Sequence, residues 1–204
     1  MNFRVPESLF LFYLGIFTVC AVIPYDRAVW WAENIPVLLL VGVLLLSSRR
    51  FRFSNTSYVL MSVFIILHTI GGHYTFERVP FDFVSQLFAF ERNHYDLMAH
   101  FSVGFYAYPV AELLLRKGLV KSKLILYLFP IFTIISVAGA YEIIEWWYAV
   151  SADEASGLAM LGSQGDIWDA QKDILADTLG ALCVMVMFMK TYRDKITAIQ
   201  IREP

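Results

Sequence analysis

The sequence predicts an all-α protein, a polytopic membrane helix bundle of six transmembrane helices with both termini in the cytoplasm. Three observations lead to this fold class. Of the 204 residues, 58% are hydrophobic and only 17% are charged, which lies outside the usual balance of soluble domains. The apolar residues are gathered into runs close to the roughly 20 residues that cross the hydrocarbon layer. Lys and Arg residues are concentrated in alternate connections between these runs. We therefore expect one transmembrane domain over residues 1–204.

Six apolar segments account for most of the chain and leave no room for a separate soluble domain. We expect helices over residues 7–24, 30–48, 57–73, 95–115, 124–149 and 170–190. The first segment follows Arg4 as a signal peptide would, but no A-x-A-like cleavage site comes after it, so we interpret it as a true first helix. In the fifth and sixth segments, Gly139 and Gly180 are expected to allow close contact between helices.

The positive charges predict the orientation. Most of the 16 Lys and Arg residues fall in both tails and in the second and fourth connections: Arg4, Arg49, Arg50, Arg52, Arg116, Lys117, Lys121, Lys123, Lys190, Arg193, Lys195 and Arg202. The other connections hold only Arg27, Arg78, Arg92 and Lys172. By the positive-inside rule the first set is cytoplasmic, so the connections 25–29, 74–94 and 150–169 face outward. Indole rings prefer the membrane interface, and all five tryptophans fall at this outer boundary: Trp30, Trp31, Trp146, Trp147 and Trp168.

Ionisable side chains converge near the outer ends of four helices. In the fourth segment, the stretch RNHYDLMAHF places Asp96 and His100 four residues apart, on one helix face. The sixth segment begins with GDIWDAQKDILADTLGA, in which an aspartate recurs every four residues from Asp169. At about 1.5 Å of rise per residue, six side chains fall roughly 5 to 12 Å below the outer boundary: His68, His100, Glu142, Glu145, Asp173 and Asp177.

Single members of this polar layer also have purely structural interpretations. A histidine such as His68 within a membrane helix commonly forms a hydrogen bond between helices. Asp96 lies near a helix N-terminus, where the helix dipole favours a carboxylate. Glu33 is interpreted as an interfacial carboxylate. Glu112, four residues before Arg116, is interpreted as one half of an interfacial ion pair.

Taken together, the carboxylates of the outer half predict a bound divalent metal ion. A charged side chain at the centre of a membrane helix costs about 2.5 to 3.5 kcal/mol, and neighbouring like charges repel. Histidine and carboxylate together are ligands for zinc, iron or manganese. The candidate metal ligands are His68, His73, His94, His100, Glu142, Glu145, Asp166 and Asp169. We expect Asp96 to orient a ligating histidine, Asp173 to act as a general base, and Asp177 to be a further catalytic residue.

Four motifs carry a resemblance to a known family. The stretches HTIGGHY, RNHYDLMAHF, YEIIEWW and GDIWDAQKDILADTLGA, together with the six-segment layout, resemble the YjdF-like family of bacterial inner-membrane proteins over nearly the whole chain. The resemblance implies a multi-pass protein of the bacterial inner membrane. It implies a topology rather than an activity.

A more distant resemblance is to VanZ-like membrane proteins, a family associated with glycopeptide-antibiotic resistance. It rests on an Asp followed four residues later by His-Phe, at Asp96 and His100, and on an acidic turn that leads into Gly180 and Ala181. This sequence departs from that pattern in having Glu145 where Gln is expected and Asp177 where Asn is expected. The departures make the chain more acidic.

Three functions follow from the polar layer. The first is a metal-dependent membrane hydrolase or transferase that acts on a lipid or lipid-linked molecule at the outer leaflet. The alternatives are a proton- or cation-linked transporter and a non-catalytic membrane stress or assembly protein, in which the polar layer holds the helices together. Nucleic-acid binding is not expected, because the basic residues occupy short connections as the topology requires. The sequence predicts no particular oligomeric state.

Overall fold

The computed structural model describes residues 4–199 and confirms the all-α class. Over this range the chain forms ten α-helices and no β-strand. The helices are α1 (Val5–Cys20), α2 (Arg27–Ser47), α3 (Asn55–Tyr74), α4 (Asp82–Phe88), α5 (Tyr95–Val103), α6 (Ala107–Arg116), α7 (Lys123–Ser151), α8 (Glu154–Leu161), α9 (Asp169–Thr191) and α10 (Arg193–Ile199). A short 3₁₀ helix, Gly104–Tyr106, joins α5 to α6.

Four of the described helices are long and apolar enough to cross a membrane, namely α2, α3, α7 and α9. The α1 helix is apolar but has only 16 residues, which gives a length of about 24 Å against a hydrocarbon core of about 30 Å. The predicted fourth segment is divided between α5 and α6. The structure therefore has four helices that meet the length of a span, where the sequence predicts six.

The first helix is shorter than predicted, because it ends at Cys20 rather than at residue 24. The residue before a proline is pushed away from helical backbone angles, and Pro24 follows Ile23, which has a left-handed φ of 49°. The chain then turns, and Asp26 caps α2 by accepting hydrogen bonds from the backbone N–H groups of Ala28 and Val29. These breaking and capping residues set the boundary between the first two helices.

The 3₁₀ turn in the predicted fourth segment packs directly against α9. A Cβ atom on Gly104 would collide with the backbone of Asp177 and Ala181, and one on Gly180 would collide with the carbonyl of Phe101. The expectation of close helix contact is thus met at Gly180. At Gly139 it is not, because a Cβ there would meet nothing within 4 Å.

Two groups of helices meet around α3 and α9. The α9 helix packs against α5, α6 and α7, whereas α1 and α2 pack on α3, which in turn contacts α5. The main core fills the half of the bundle that holds α6 and the end of α9, with Tyr108, Leu126 and Phe188 fully buried. Large apolar side chains on the outward faces of α2 and α7, such as Leu39 and Phe132, are exposed as expected for contact with lipid.

Two of the predicted outer connections contain short helices that the sequence does not predict. The connection over 74–94 includes α4, and the connection over 150–169 includes α8, whose first turn is capped by Asp153 through Ser156 N–H. Of the five tryptophans, four are exposed, but Trp30 is buried against Phe17 with ring centroids 5.4 Å apart. Trp30 therefore belongs to the core and not to an interfacial belt.

Candidate functional site

Three ionisable side chains meet between α5 and α9. One ligand atom each of Asp96, His100 and Asp173 lies within 4.8 Å of the other two. Asp96 and His100 share a face of α5 because they are four residues apart, and His100 Nε2 lies 3.7 Å from Asp96 Oδ1. Asp173 enters from α9, which packs closely against α5. The spacing of these atoms suits a single bound cation.

The second ring nitrogen of His100 faces a different carboxylate. His100 Nδ1 lies 3.3 Å from Oδ2 of Asp177, which is one helical turn beyond Asp173 and only 1% exposed. A metal-bound histidine usually donates its other ring N–H to a carboxylate, which orients the ring. The sequence assigns this orienting role to Asp96, whereas the structure places Asp177 in that position and Asp96 beside Asp173.

Several carboxylate oxygens at this site have no hydrogen-bond partner among the described residues. They are Oε1 of Glu142 and Oδ1 of both Asp173 and Asp177. A buried oxygen of this kind is costly when unpaired. The arrangement therefore favours a positively charged or hydrogen-bonding ligand at the α5–α9 contact.

A second polar cluster joins α2, α3 and α7. His68 Nε2 lies 3.0 Å from Glu33 Oε2, and the Tyr141 hydroxyl donates a hydrogen bond of 2.8 Å to the same oxygen. Glu33 is 1% exposed, so it is not the interfacial carboxylate that the sequence suggests. His68 makes the contact between helices that its structural interpretation predicts. The sequence does not indicate this burial, because Glu33 closely follows Trp30 and Trp31, a residue type typical of the membrane interface.

A cavity of about 340 Å³ connects the two clusters. Its polar end is lined by Glu145 and by ionisable side chains of both clusters: Asp96, His100, Asp177, Glu33 and His68. The rest of the wall is mainly apolar and includes Val37, Leu40, Phe64, Val103, Val110, Ile134 and Val137. The α2 and α7 helices flank the cavity, and along the described residues they make at most sparse contact with each other. The site thus combines a charged end with an apolar channel between helices.

The remaining predicted ligands have other partners. His73 Nδ1 lies 2.8 Å from the carbonyl oxygen of Cys20. The His94 ring packs on Phe90, and desolvation, with the nearby Arg92 charge, lowers the pKa of His94. These two histidines lie outside the group formed by Asp96, His100 and Asp173.

Asp166 and Asp169 belong to an ion-pair network that joins two of the three connections predicted to face outward, 74–94 and 150–169. Arg92 contacts Asp169 at 2.7 Å and Asp166 at 3.5 Å, and it donates a hydrogen bond to the Ser163 carbonyl. Lys172 pairs with Asp166 and, as the main cause, lowers the pKa of that carboxyl group. Arg92 and Lys172 therefore neutralise two of the predicted metal ligands.

Comparison with known proteins identifies the family. The model of the family described as "Predicted membrane protein (DUF2238)" matches residues 5–194. The chain belongs to the DUF2238 family. This DUF2238 protein is similar to the "Inner membrane protein YjdF" of Escherichia coli (strain K12). The two are 32% identical over 185 residues, which cover 90% of this chain and 85% of the relative.

These matches confirm the resemblance to YjdF-like proteins and the location of this DUF2238 protein as a multi-pass protein of the bacterial inner membrane. The resemblance to VanZ-like proteins stays a prediction. No solved structure matches the chain at a significant level.

Proposed function

We propose that this DUF2238 protein is a metal-dependent membrane hydrolase or transferase that acts on a lipid or lipid-linked molecule at the outer leaflet. The observation that carries the proposal is the meeting of Asp96, His100 and Asp173, of which Asp96 and His100 line the polar end of a mainly apolar cavity. A charged site that opens into an apolar channel suits a substrate with a polar head and a hydrocarbon chain. Its volume of about 340 Å³ falls in the range of small-molecule sites, roughly 300 to 1,000 Å³.

In this proposal Asp96, His100 and Asp173 hold zinc, iron or manganese. Imidazole and carboxylate groups are ligands for these ions, and three protein ligands leave a coordination position open for water or substrate. A metal bound there would activate water or polarise a phosphate oxygen of the substrate. Asp177 would fix the orientation of His100 through Nδ1.

Glu142 is the carboxylate best suited to proton transfer once Asp173 acts as a ligand. It is partly buried on α7, and its Oε1 atom has no partner among the described residues. A general base needs a free oxygen within reach of the attacking water. We therefore assign the role of general base to Glu142, whereas the sequence alone predicts Asp173.

The cavity walls suggest how a lipid would enter. Because α2 and α7 flank the cavity with sparse contact between them, a chain could pass from the bilayer between these two helices. The apolar side chains Leu40, Val110 and Val137 would then surround the hydrocarbon, while the headgroup would lie near His100. This geometry favours a substrate that diffuses within the membrane.

The proposal includes six membrane crossings with both termini in the cytoplasm. The helical stretch from Tyr95 to Arg116 runs through α5, the 3₁₀ turn and α6, and α1 lies along α3. The distribution of Lys and Arg supports this orientation. It places the cavity's polar end near the outer surface.

The core favours an enzyme over a transporter. A transporter needs a path from the polar layer to the opposite membrane face. The half of the bundle that holds α6 is filled by fully buried Tyr108, Leu126 and Phe188. This packing supports a site that opens toward one side.

Metal content tests the proposal. Purified protein is incubated separately with Zn²⁺, Fe²⁺ and Mn²⁺, desalted, and measured by elemental analysis. We expect about one equivalent of one of these metals per chain, and its loss in His100→Ala and Asp173→Asn. His73→Gln is the matched control, because the His73 ring contacts the Cys20 carbonyl, and it should retain the metal.

Lipid profiling tests the activity. A deletion strain is complemented with wild-type protein, with His100→Ala or with His73→Gln. We expect one lipid species to accumulate in the deletion and His100→Ala strains only. Metal at background level in wild-type protein after all three incubations would overturn the proposal.

A further inference from the structure

A second cavity of about 340 Å³ lies at the other end of the bundle, on the surface of α3 between α1 and α2. Apolar side chains from all three helices line it, among them Leu9, Phe10, Val41, Leu44, Met61 and Ile65. Both α1 and α2 pack on α3, so the cavity is a groove with α3 as its floor.

The two cavities are separated by packed side chains. Tyr13, Val37 and Ile65 form one buried cluster. Val37 lines the first cavity, whereas Tyr13 and Ile65 line the second. A ligand of the second cavity would therefore not occupy the proposed metal site.

An ion pair lies at the polar end of the groove. Arg52 Nη2 is 3.0 Å from Glu7 Oε1, and both side chains line the cavity. Their side chains are 43% and 47% exposed, and an ion pair so open to solvent contributes little to stability. An anion that binds Arg52 more tightly could therefore replace the Glu7 carboxylate with little loss of stability.

Positive charge exceeds negative charge around this end of the groove. Arg49 and Arg50 are exposed just beyond α2, and the exposed Arg4 directly precedes α1. Basic pockets between membrane helices attract the headgroups of anionic lipids, and the guanidinium group of arginine matches the geometry of a phosphate. An apolar groove with a basic end is complementary to an acyl chain that carries a phosphate.

We propose that this groove binds an anionic phospholipid, with one acyl chain against α3 and the phosphate on Arg52 in place of the Glu7 carboxylate. Phosphatidylglycerol has the required chemistry. The lipid would bind whether or not the outer site holds a metal. It would fill the space that α1 and α2 leave between them.

Native mass spectrometry of the full-length protein in detergent tests the proposal, with phosphatidylglycerol and the zwitterionic phosphatidylethanolamine added separately. We expect phosphatidylglycerol to be retained more strongly. Arg52→Gln should weaken its retention roughly fivefold, and Glu7→Gln should strengthen it because the competing carboxylate is removed. Arg50→Gln is the matched control, since Arg50 is exposed beside the groove without lining it, and it should change retention least.

A substitution that enlarges a side chain inside the groove gives a second test of lipid binding. Ser62 lines the groove, so Ser62→Leu should reduce the retention of both lipids. Thr18→Leu adds similar bulk at an exposed position of α1 that lines neither cavity and should leave retention unchanged. Glycerol phosphate, which lacks a chain, should not displace phosphatidylglycerol.

Equal retention of the two lipids by wild-type protein would overturn the proposal, as would unchanged retention of phosphatidylglycerol in Arg52→Gln and Glu7→Gln. Displacement by glycerol phosphate would show a site for free phosphate instead and would also overturn it. Thermal unfolding without added lipid identifies any variant that has lost its fold. Glu7→Gln, which disturbs only a half-exposed side chain, then remains the informative variant.

Discussion

His100 and Asp177 lie on different helices, and His100 Nδ1 is 3.3 Å from Asp177 Oδ2. They are 77 residues apart in the chain. The contact fixes the His100 ring so that Nε2 is directed to the side of Asp96. It links the position of α9 to the geometry of the proposed metal site.

This contact predicts the effect of changing Asp177. Asp177→Asn keeps an oxygen that can accept the Nδ1–H hydrogen bond but removes the charge that raises the basicity of His100. We expect metal affinity to fall by about 10-fold, and Asp177→Ala, which removes the acceptor, to lower it by up to about 100-fold. Competition titration of metal-depleted protein with a chelator measures both. Asp153→Asn, at the cap of α8, should leave the affinity unchanged, and equal affinity in all four proteins would contradict the orienting role of Asp177.

The close approach of α5 and α9 predicts the effect of adding one methyl group. A Cβ on Gly180 would meet the Phe101 carbonyl, so Gly180→Ala must move the two helices apart. We expect a loss of about 1 to 3 kcal/mol in the free energy of unfolding, together with a lower metal affinity, because Asp173 and His100 lie on these helices. Chemical unfolding in detergent micelles measures the stability.

The control for Gly180→Ala is Gly139→Ala on α7, where a Cβ meets nothing within 4 Å. In a helix interior alanine is favoured over glycine by roughly 0.5 to 1 kcal/mol. We therefore expect Gly139→Ala to be neutral or slightly stabilising. Similar destabilisation by both substitutions would show that close packing is not the cause.

Glu112 predicts a large structural effect at the opposite end of the bundle. The Glu112 side chain is fully buried. Its Oε1 accepts hydrogen bonds from Ser54 N–H at 2.9 Å and from Arg116 at 2.5 Å. Its Oε2 accepts hydrogen bonds from the hydroxyl groups of Ser54 and Ser57. Breaking a buried ion pair costs about 3 to 5 kcal/mol, and Arg116 is 36% exposed. We therefore expect Glu112→Gln to lose about 3 kcal/mol of unfolding free energy, the lower end of that range.

Thermal and chemical unfolding of the purified protein measure this loss. Glu7→Gln is the matched substitution at a half-exposed ion pair, and it should cost less than about 1 kcal/mol. Because Glu112 lies far along the helices from the proposed metal site, metal content should be unchanged. A loss of metal with unchanged stability would contradict a structural role for Glu112.

The Asp166–Lys172 pair predicts a dependence of stability on pH. Lys172 lowers the pKa of the Asp166 carboxyl group below its usual 3.8. A lowered folded-state pKa gives stability that is present above the unfolded pKa and is lost as the pH falls through the folded pKa. Unfolding temperature should therefore differ between wild type and Asp166→Asn at pH 6, and the difference should shrink as the pH falls below about 4. A constant difference between pH 6 and pH 3 would contradict this linkage.

The sequence predicts which residues form the polar layer, but it does not predict which of them contact each other across helices. The four-residue spacing places Asp96 with His100 and Asp173 with Asp177 on single helix faces, and the structure keeps each pair on one face. Spacing along a helix says nothing of which face of α9 meets which face of α5. That contact decides which carboxylate lies near which ring nitrogen of His100, with Asp96 near Nε2 and Asp177 near Nδ1.

Local signals account for the correct parts of the fold and also for the errors. Long apolar runs predicted α2, α3, α7 and α9 because a membrane span is a property of one segment. The early end of α1 depends on Pro24, a local signal that the length of the apolar run obscured. Burial of Glu33 depends on His68 and Tyr141 from two other helices, which periodicity in α2 alone does not reveal.

The sequence by itself determined that this is an all-α membrane protein with acids and histidines near one end of its helices, because composition and helical spacing are properties of contiguous residues. The tertiary structure decided that Asp96, His100 and Asp173 form one group while Arg92 and Lys172 neutralise Asp166 and Asp169. Such choices among oppositely charged partners depend on distances between helices. Those distances are set by close contacts such as that of Gly104 with α9, which appear only when the helices pack.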